Sequence, residues 1–230
     1  MNNKSYKLQT VYLVVSVIIC AVTMCIVDAV IKPQYFVKSL IKLCLFLIVP
    51  CIYFVVYKLE RASLKSLFAF KAKNLLLSIS LGVLCYAFIV AGYFLLENSF
   101  DFSTISGKLT ENAGVSADNF LYVSLYISLV NSFLEEMFFR GFAFIFLKKL
   151  TSPIFAYLFS SILFALYHTG MMIGYYGFGV LFITILGLLV AGLIFNVLND
   201  KCKNIYSSWL VHMFANFAIN TVGFILFGII

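Results

Sequence analysis

The stretch NSFLEEMFFRG, residues 131–141, places two adjacent glutamates and an arginine inside an otherwise apolar run from Phe120 to Leu147. The whole chain has only five glutamates, so two side by side in a hydrophobic segment are unusual. A charged side chain at the centre of a bilayer costs about 2.5–3.5 kcal/mol on insertion scales, so it normally faces a protein interior or a wet cavity. Glu135, Glu136 and Arg140 therefore mark the first candidate functional site.

The composition excludes an ordinary soluble domain. Hydrophobic residues make up 63% of the 230 residues, charged residues 11%, and the mean hydropathy is +1.07. Soluble domains are about 25% charged, and here the apolar excess is spread along the whole sequence. We therefore predict an all-α, polytopic bundle of about seven (six to eight) membrane-spanning helices, which forms a single integral-membrane domain over residues 1–230.

The apolar runs predict seven spans and one extended polar loop. The spans are expected at residues 9–31, 40–57, 75–96, 120–147, 154–168, 180–198 and from 205 onward, and the loop at 97–118. The first span, which no small-residue cleavage site follows, is expected to stay uncleaved. Asp28 near its end is expected at the interface, and the pair Gly170/Gly174 has a spacing that fits either close helix packing or a loop.

The net charge of +7 is explained by membrane topology rather than by nucleic-acid binding. With the N-terminus inside, eleven basic residues fall on the inner side: Lys4, Lys7, Lys58, Arg61, Lys65, Lys71, Lys73, Lys148, Lys149, Lys201 and Lys203. Four fall on the outer side: Lys32, Lys38, Lys42 and Lys108. The predicted location is a bacterial cytoplasmic membrane with a cytoplasmic N-terminus. The bacterial origin is suggested by the excess of lysine over arginine.

The six cysteines predict no disulfide framework. None belongs to a CxxC pair, and five lie within apolar runs, where cysteine behaves as a small hydrophobe. Thiolate metal binding and thiol catalysis are therefore not expected.

The fourth span presents a polar face. Its polar residues recur at i, i+4, i+7 and i+11, which puts them on one side of a helix: Ser124, Ser128, Asn131 and Glu135. Glu136 and Arg140 have the i, i+4 spacing of an ion pair, and their pairing would leave Glu135 free to act as a general base. The alternative is that these charges form a packing network and nothing more.

Both histidines of the chain fall within apolar spans. His168 ends one span, and His212 lies one helical turn before Asn216 in the last span. Together with Glu135 they supply a base, two imidazoles and an amide donor, which are the groups needed to activate water and hold an oxyanion.

These residues form three motifs: Glu135-Glu136-x-x-x-Arg140, Phe164-x-x-x-His168 and His212-x-x-x-Asn216. The three, in this order, resemble the motifs of the CPBP family, which comprises type II CAAX prenyl proteases and bacterial bacteriocin-processing or Abi-type intramembrane proteases. The resemblance covers residues 120–220, and the first three spans carry no motif of their own.

The resemblance implies a glutamate-dependent intramembrane endopeptidase. Glu135 and His168 would activate the attacking water, His212 and Asn216 would stabilise the oxyanion, and Glu136 and Arg140 would support the site. The implied substrate is a membrane-associated peptide or protein. Peptide processing, bacteriocin maturation or self-immunity is the expected context.

The family is often labelled metalloprotease. Glu135, His168 and His212 have the side chains to bind zinc, with water as a fourth ligand. The sequence has no HExxH motif, however, and asparagine is a poor zinc ligand. We therefore expect no cofactor, with zinc as the alternative.

Two other functions stay open at this point. One is a non-catalytic membrane protein that binds or regulates a partner. The other is a proton-coupled transporter with Glu135 and the histidines as a relay, although no internal repeat is evident.

The depths of the two histidines in the membrane are in conflict. In straight helices, His168 would lie near the outer end of its span and His212 nearer the inner end, so a shared site requires tilt, a re-entrant segment or a break at the glycines of residues 170–179.

Overall fold

The computed structural model describes residues 3–57, 65–70, 72–99, 102, 104–173 and 177–230, and the side chains of all of these except residues 3–5 and 104. This part of the chain contains helices and no β-strand. Outside the described residues lie three of the basic residues assigned to the inner side, Lys58, Arg61 and Lys71, and one glycine of the possible packing pair, Gly174.

Eight helices organise the described residues. They are α1 (Asn3–Ile26, continued by a π-helical turn, Val27–Ile31), α2 (Tyr35–Val56), α3 (Leu75–Leu96), α4 (Thr104–Ala113), α5 (residues 120–150), α6 (Pro153–Met172), α7 (Phe178–Cys202) and α8 (Tyr206–Leu226). Six of them, namely α1, α2, α3, α6, α7 and α8, are long and apolar enough to cross a membrane. The prediction of a polytopic helical membrane protein is confirmed.

Helix α5 carries the charged stretch and differs from the other spans. Its 31 residues reach about 46 Å at α-helical rise, enough to cross a bilayer. Ordinary helix alternates with π-helical segments at Tyr126–Asn131 and Glu136–Phe146. Such wide turns are rare and occur frequently at functional sites.

The second π-helical segment lies at the centre of the bundle. Nine of its eleven residues are buried, as expected for a helix that is enclosed on all sides. The Phe138 ring stacks on Phe46 of α2 at 4.0 Å between centroids. By contrast, Leu76, Phe88 and Phe178 on other spans are 75–83% exposed, a distribution that suits contact with lipid.

Glycines allow the backbones of neighbouring helices to approach closely at two points. A Cβ atom on Gly170 of α6 would lie 2.8 Å from the Cα atom of Cys25 on α1. A Cβ atom on Gly192 of α7 would lie 3.0 Å from the Cα atom of Ser161 on α6. The packing role considered for Gly170 therefore holds, because only a glycine lets these backbones approach so closely.

The connection between α1 and α2 corrects the predicted placement of Lys42. Lys32 adopts a left-handed backbone conformation (φ 48°) and ends α1, and α2 already begins at Tyr35. The tight turn places Asp28 Oδ1 2.5 Å from Lys38 Nζ, so Asp28, near the end of the first span, is buried in an ion pair. Lys42, predicted among the outer loop charges, is wrongly placed there: it is buried within α2.

Smaller boundary corrections concern the loops. The segment 97–118, expected to be an extended polar loop, contains helix α4. Helix α7 continues to Cys202, so the expected loop at 199–204 is shorter. Helix α6 begins where Ser152 accepts a hydrogen bond from the Phe155 amide and Pro153 occupies the first turn, a usual helix start.

The six cysteines are thiols in the structure. No disulfide joins the six cysteines, all of which lie among the described residues.

Candidate active site

Glu135 is 1% exposed, and its two carboxylate oxygens have different surroundings. The Oε1 atom accepts three hydrogen bonds: from Lys42 Nζ at 3.0 Å, Asn131 Nδ2 at 2.9 Å and the Tyr167 hydroxyl at 3.1 Å. Three helices, α2, α5 and α6, therefore hold one oxygen. The sequence-based expectation of a wholly free Glu135 carboxylate is wrong for this atom.

The other oxygen faces both histidines. Glu135 Oε2 has no hydrogen-bond partner among the described residues. The Nε2 atom of His168 lies 3.6 Å from it, and the Nε2 atom of His212 lies 3.7 Å from it. These distances exceed a direct hydrogen bond, so both imidazoles are near Glu135 Oε2 and neither is hydrogen-bonded to it.

The partners of the two Nδ1 atoms indicate the tautomers. His168 Nδ1 lies 2.7 Å from the carbonyl oxygen of Phe164, and His212 Nδ1 lies 2.9 Å from Glu136 Oε1. A carbonyl and a carboxylate only accept, so each Nδ1 carries the hydrogen. A neutral ring then directs the lone pair of Nε2 towards Glu135 Oε2.

Glu136 and Arg140 form the predicted i, i+4 ion pair, with Arg140 Nη1 3.3 Å from Glu136 Oε1 and both side chains 0% exposed. The guanidinium has no hydrogen bond within the described part of the chain. It lies instead over the Phe164 ring, 3.9 Å from the centroid, and 5.0 Å from that of Phe195. Phe195 also stacks on His212. The contact between Arg140 and Phe195 therefore supports the position of the His212 imidazole.

Asn216 is not hydrogen-bonded to the other predicted site residues. Its Nδ2 atom donates to the Ile127 carbonyl oxygen at 3.2 Å, in the first π-helical segment of α5. One turn further, Asn220 donates to the Ser124 carbonyl and to Ser128 Oγ. Asn216 therefore lies one turn from His212 on the α8 face that contacts α5, with its second amide hydrogen available for another acceptor.

The conflict over depth disappears in three dimensions. His168 lies four residues before the end of α6, and His212 lies six residues after the start of α8. Both helices are continuous, yet both rings reach the same oxygen of Glu135. A break at the glycines, one of the three alternatives, is therefore not needed.

Sequence reasoning missed two residues that contact Glu135. Tyr167 directly precedes His168, but nothing in an apolar run distinguishes a core tyrosine from one that donates to a carboxylate. Lys42 lies in the apolar segment LIKLCLFLIVP, residues 40–50. A single charged residue in an apolar segment indicates a buried, paired charge. The nearby loop candidates Lys32 and Lys38 led instead to the assignment of Lys42 to the same loop.

The metal alternative can be tested against these contacts. Two imidazoles and a carboxylate are donors that zinc accepts. However, no group of three or more His, Cys, Asp or Glu among the described residues is arranged to hold a metal ion. The Lys42 ammonium, 3.0 Å from Glu135, already supplies the positive charge that a metal would bring. The described residues therefore do not fit a zinc ion.

Comparison with known proteins gives one match. Residues 117–218 match the family model described as type II CAAX prenyl endopeptidase Rce1-like. No curated protein and no solved structure matches the chain. The matched segment contains all three motifs and both histidines. Over this segment, the chain is similar to the Rce1-like family of type II CAAX prenyl endopeptidases, and its six long apolar helices support an integral membrane protein.

Proposed function

We propose that this protein is a glutamate-dependent intramembrane endopeptidase in which Glu135 and His168 activate a water molecule. One observation carries the proposal. Glu135 Oε2 is buried without a hydrogen-bond partner among the described residues, and two imidazole nitrogens face it at 3.6 and 3.7 Å. The space between Glu135 Oε2 and the lone pair of His168 Nε2 is bounded by two acceptors, which suits a water molecule because water brings two hydrogens.

The chemistry follows from the tautomers. A water between Glu135 Oε2 and His168 Nε2 donates one hydrogen to each, so its lone pair points towards a substrate carbonyl. When the water oxygen bonds to the carbonyl carbon, one proton passes to Glu135 Oε2. General-base assistance of this kind contributes about 10²–10⁴-fold.

The negative charge that develops on the carbonyl oxygen needs donors. His212 can supply one when its ring is protonated on both nitrogens, and Glu136 at 2.9 Å then stabilises the imidazolium. The second amide hydrogen of Asn216 is the other candidate donor. Collapse of the intermediate breaks the C–N bond, and the proton held by Glu135 passes to the leaving amine.

The substrate proposed is a peptide bond in a membrane-associated peptide or protein. The site is enclosed by helices whose outer faces suit lipid, so a substrate reaches it from the membrane or its surface. Peptide processing, including bacteriocin maturation or self-immunity, and cleavage of a lipid-modified C-terminus both fit this class. The proposed setting is a bacterial cytoplasmic membrane with the N-terminus inside.

Cleavage of a fluorogenic peptide library by the purified protein in detergent tests the proposal, with Glu135→Gln and His168→Ala beside the wild type. We expect cleavage by the wild type and a loss of at least about 10²-fold in both variants. Glu97→Gln, which removes a carboxylate outside the site, is the matched control and should cleave normally. Unchanged cleavage by Glu135→Gln would refute the mechanism. A variant that loses cleavage but still binds the same peptides separates catalysis from a binding role.

A further inference from the structure

The Lys42 ammonium lies in the protein interior, on a helix outside the segment that matches the family model. We propose that Lys42 is the counterion of Glu135 and a positioning residue for its carboxylate, so that helix α2 completes the active site. The catalytic consequence rests on the proposed function, whereas the charge pairing does not.

The contacts of Lys42 are specific. Its Nζ atom lies 3.0 Å from Glu135 Oε1 and 2.6 Å from Asn131 Oδ1, and the Asn131 amide in turn donates to Glu135 Oε1. The side chains of Lys42 and Glu135 are 4% and 1% exposed. One ammonium hydrogen is thus accepted by Glu135, the candidate base, and a second by Asn131, which itself binds Glu135.

Charge pairing in this region leaves Lys42 as the partner of Glu135. Six charged side chains meet here, and two pairs are already closed: Asp28 with Lys38, and Glu136 with Arg140. The nearest nitrogens of the histidines lie 0.6 and 0.7 Å further from a Glu135 oxygen than Lys42 Nζ does. A buried carboxylate without a nearby cation is strongly unfavourable, so Lys42 is the group that compensates Glu135.

The same contacts set the orientation of the Glu135 carboxylate. Lys42, Asn131 and Tyr167 all bind Oε1, which fixes the carboxylate plane and leaves Oε2 towards the histidines. Lys42 donates to Glu135 Oε1 and to Asn131 Oδ1, and not to Oε2, which has no hydrogen-bond partner among the described residues. It therefore acts through Glu135 rather than on the substrate.

Packing of helix α2 on α5 and α6 holds Lys42 at the height where it reaches Glu135. Phe46, one turn after Lys42, stacks on Phe138 of α5 at 4.0 Å and contacts the Tyr167 ring at 5.7 Å. The same face of α2 thus packs on α5 and carries the ammonium to Glu135. The Lys42 ammonium itself lies 5.1 Å from the Tyr167 ring centroid.

A thermal-unfolding cycle in detergent tests the pairing without any need for activity. The variants are Lys42→Met, Glu135→Gln and the double variant. We expect Lys42→Met alone to lower Tm by about 10 °C because it leaves Glu135 buried without a counterion. The double variant should recover most of that loss. Lys38→Met, which removes the lysine one turn away, is the matched control, and Glu135→Gln should not relieve its loss.

Each outcome of this cycle decides the proposal. An unchanged Tm for Lys42→Met, or losses that simply add in the double variant, would overturn it. If Lys42→Met fails to fold and the double variant folds, the pairing is supported. If neither folds, Lys42 serves packing and the proposal fails.

Kinetics test the positioning role. We expect Lys42→Met to lower kcat about 10²-fold with KM changed less than about threefold, and Lys42→Arg to recover part of kcat because it keeps the charge. A rise in KM with unchanged kcat would contradict positioning. If the wild type cleaves no peptide while the Tm cycle shows coupling, the proposed function fails and the counterion assignment stands.

Discussion

Glu136 Oε1 lies 2.9 Å from His212 Nδ1 and 3.3 Å from Arg140 Nη1, so one buried oxygen joins an imidazole on α8 to a guanidinium on α5. The Arg140 guanidinium has no hydrogen bond within the described part of the chain. Glu136 is therefore both the compensating charge for Arg140 and the group that orients His212.

The Glu136→Gln variant should be strongly destabilised. The amide can still accept from His212, but it leaves the Arg140 charge buried and uncompensated, which costs about 3–5 kcal/mol in the free energy of unfolding. Denaturant or thermal unfolding in detergent measures the loss. The double variant Glu136→Gln/Arg140→Met should be more stable than the single one. Wild-type stability of Glu136→Gln would contradict the ion pair.

The Asn216→Ala variant should distinguish the catalytic role proposed for Asn216 from the structural role of Asn220, the next asparagine on α8. Loss of an oxyanion donor lowers kcat by about 10²–10³-fold, and KM should change little. The matched control is Asn220→Ala, one turn further, which removes hydrogen bonds to Ser124 and Ser128. That variant should lower stability with a smaller effect on kcat. Equal kcat losses in both would make the role of Asn216 structural.

The Gly170→Ala variant should loosen the packing of α6 on α1. The added Cβ atom would lie 2.8 Å from Cys25 Cα and 2.9 Å from its carbonyl oxygen, and this backbone cannot move aside like a flexible side chain. We expect a loss of about 1–3 kcal/mol in the free energy of unfolding. Gly187→Ala on α7, where a Cβ atom meets nothing within 4 Å, is the control and should be close to neutral.

Removal of divalent metal should leave cleavage intact. Lys42 already compensates Glu135, and the donor atoms around it are not arranged for a metal ion in the described residues. Activity after dialysis against a strong chelator, together with elemental analysis of the protein, measures this. Activity that is lost on chelation and restored by stoichiometric zinc would establish the metal-dependent alternative.

Local features of the fold and site were predictable from sequence. Hydropathy predicted a helical membrane bundle because each long apolar run must bury its backbone polar groups in a helix. The Glu136–Arg140 pair was predictable because i, i+4 spacing is set by a single helix. The boundaries near Lys38 and Lys42 were wrong, since lysine occurs both in loops and, when paired, inside a bundle.

What the sequence by itself determined is the membrane class, the candidate residues and their order along the chain. Only the tertiary structure decided which atoms meet. Periodicity shows the face on which Glu135 lies, but not the helix that packs against that face. The pairing of Glu135 Oε1 with Lys42, 93 residues away, and the approach of both histidines to Oε2 depend on the packing of four helices. Buried charges must find partners wherever packing places them, so an isolated lysine such as Lys42 can mark a buried charge in the sequence but cannot show its partner.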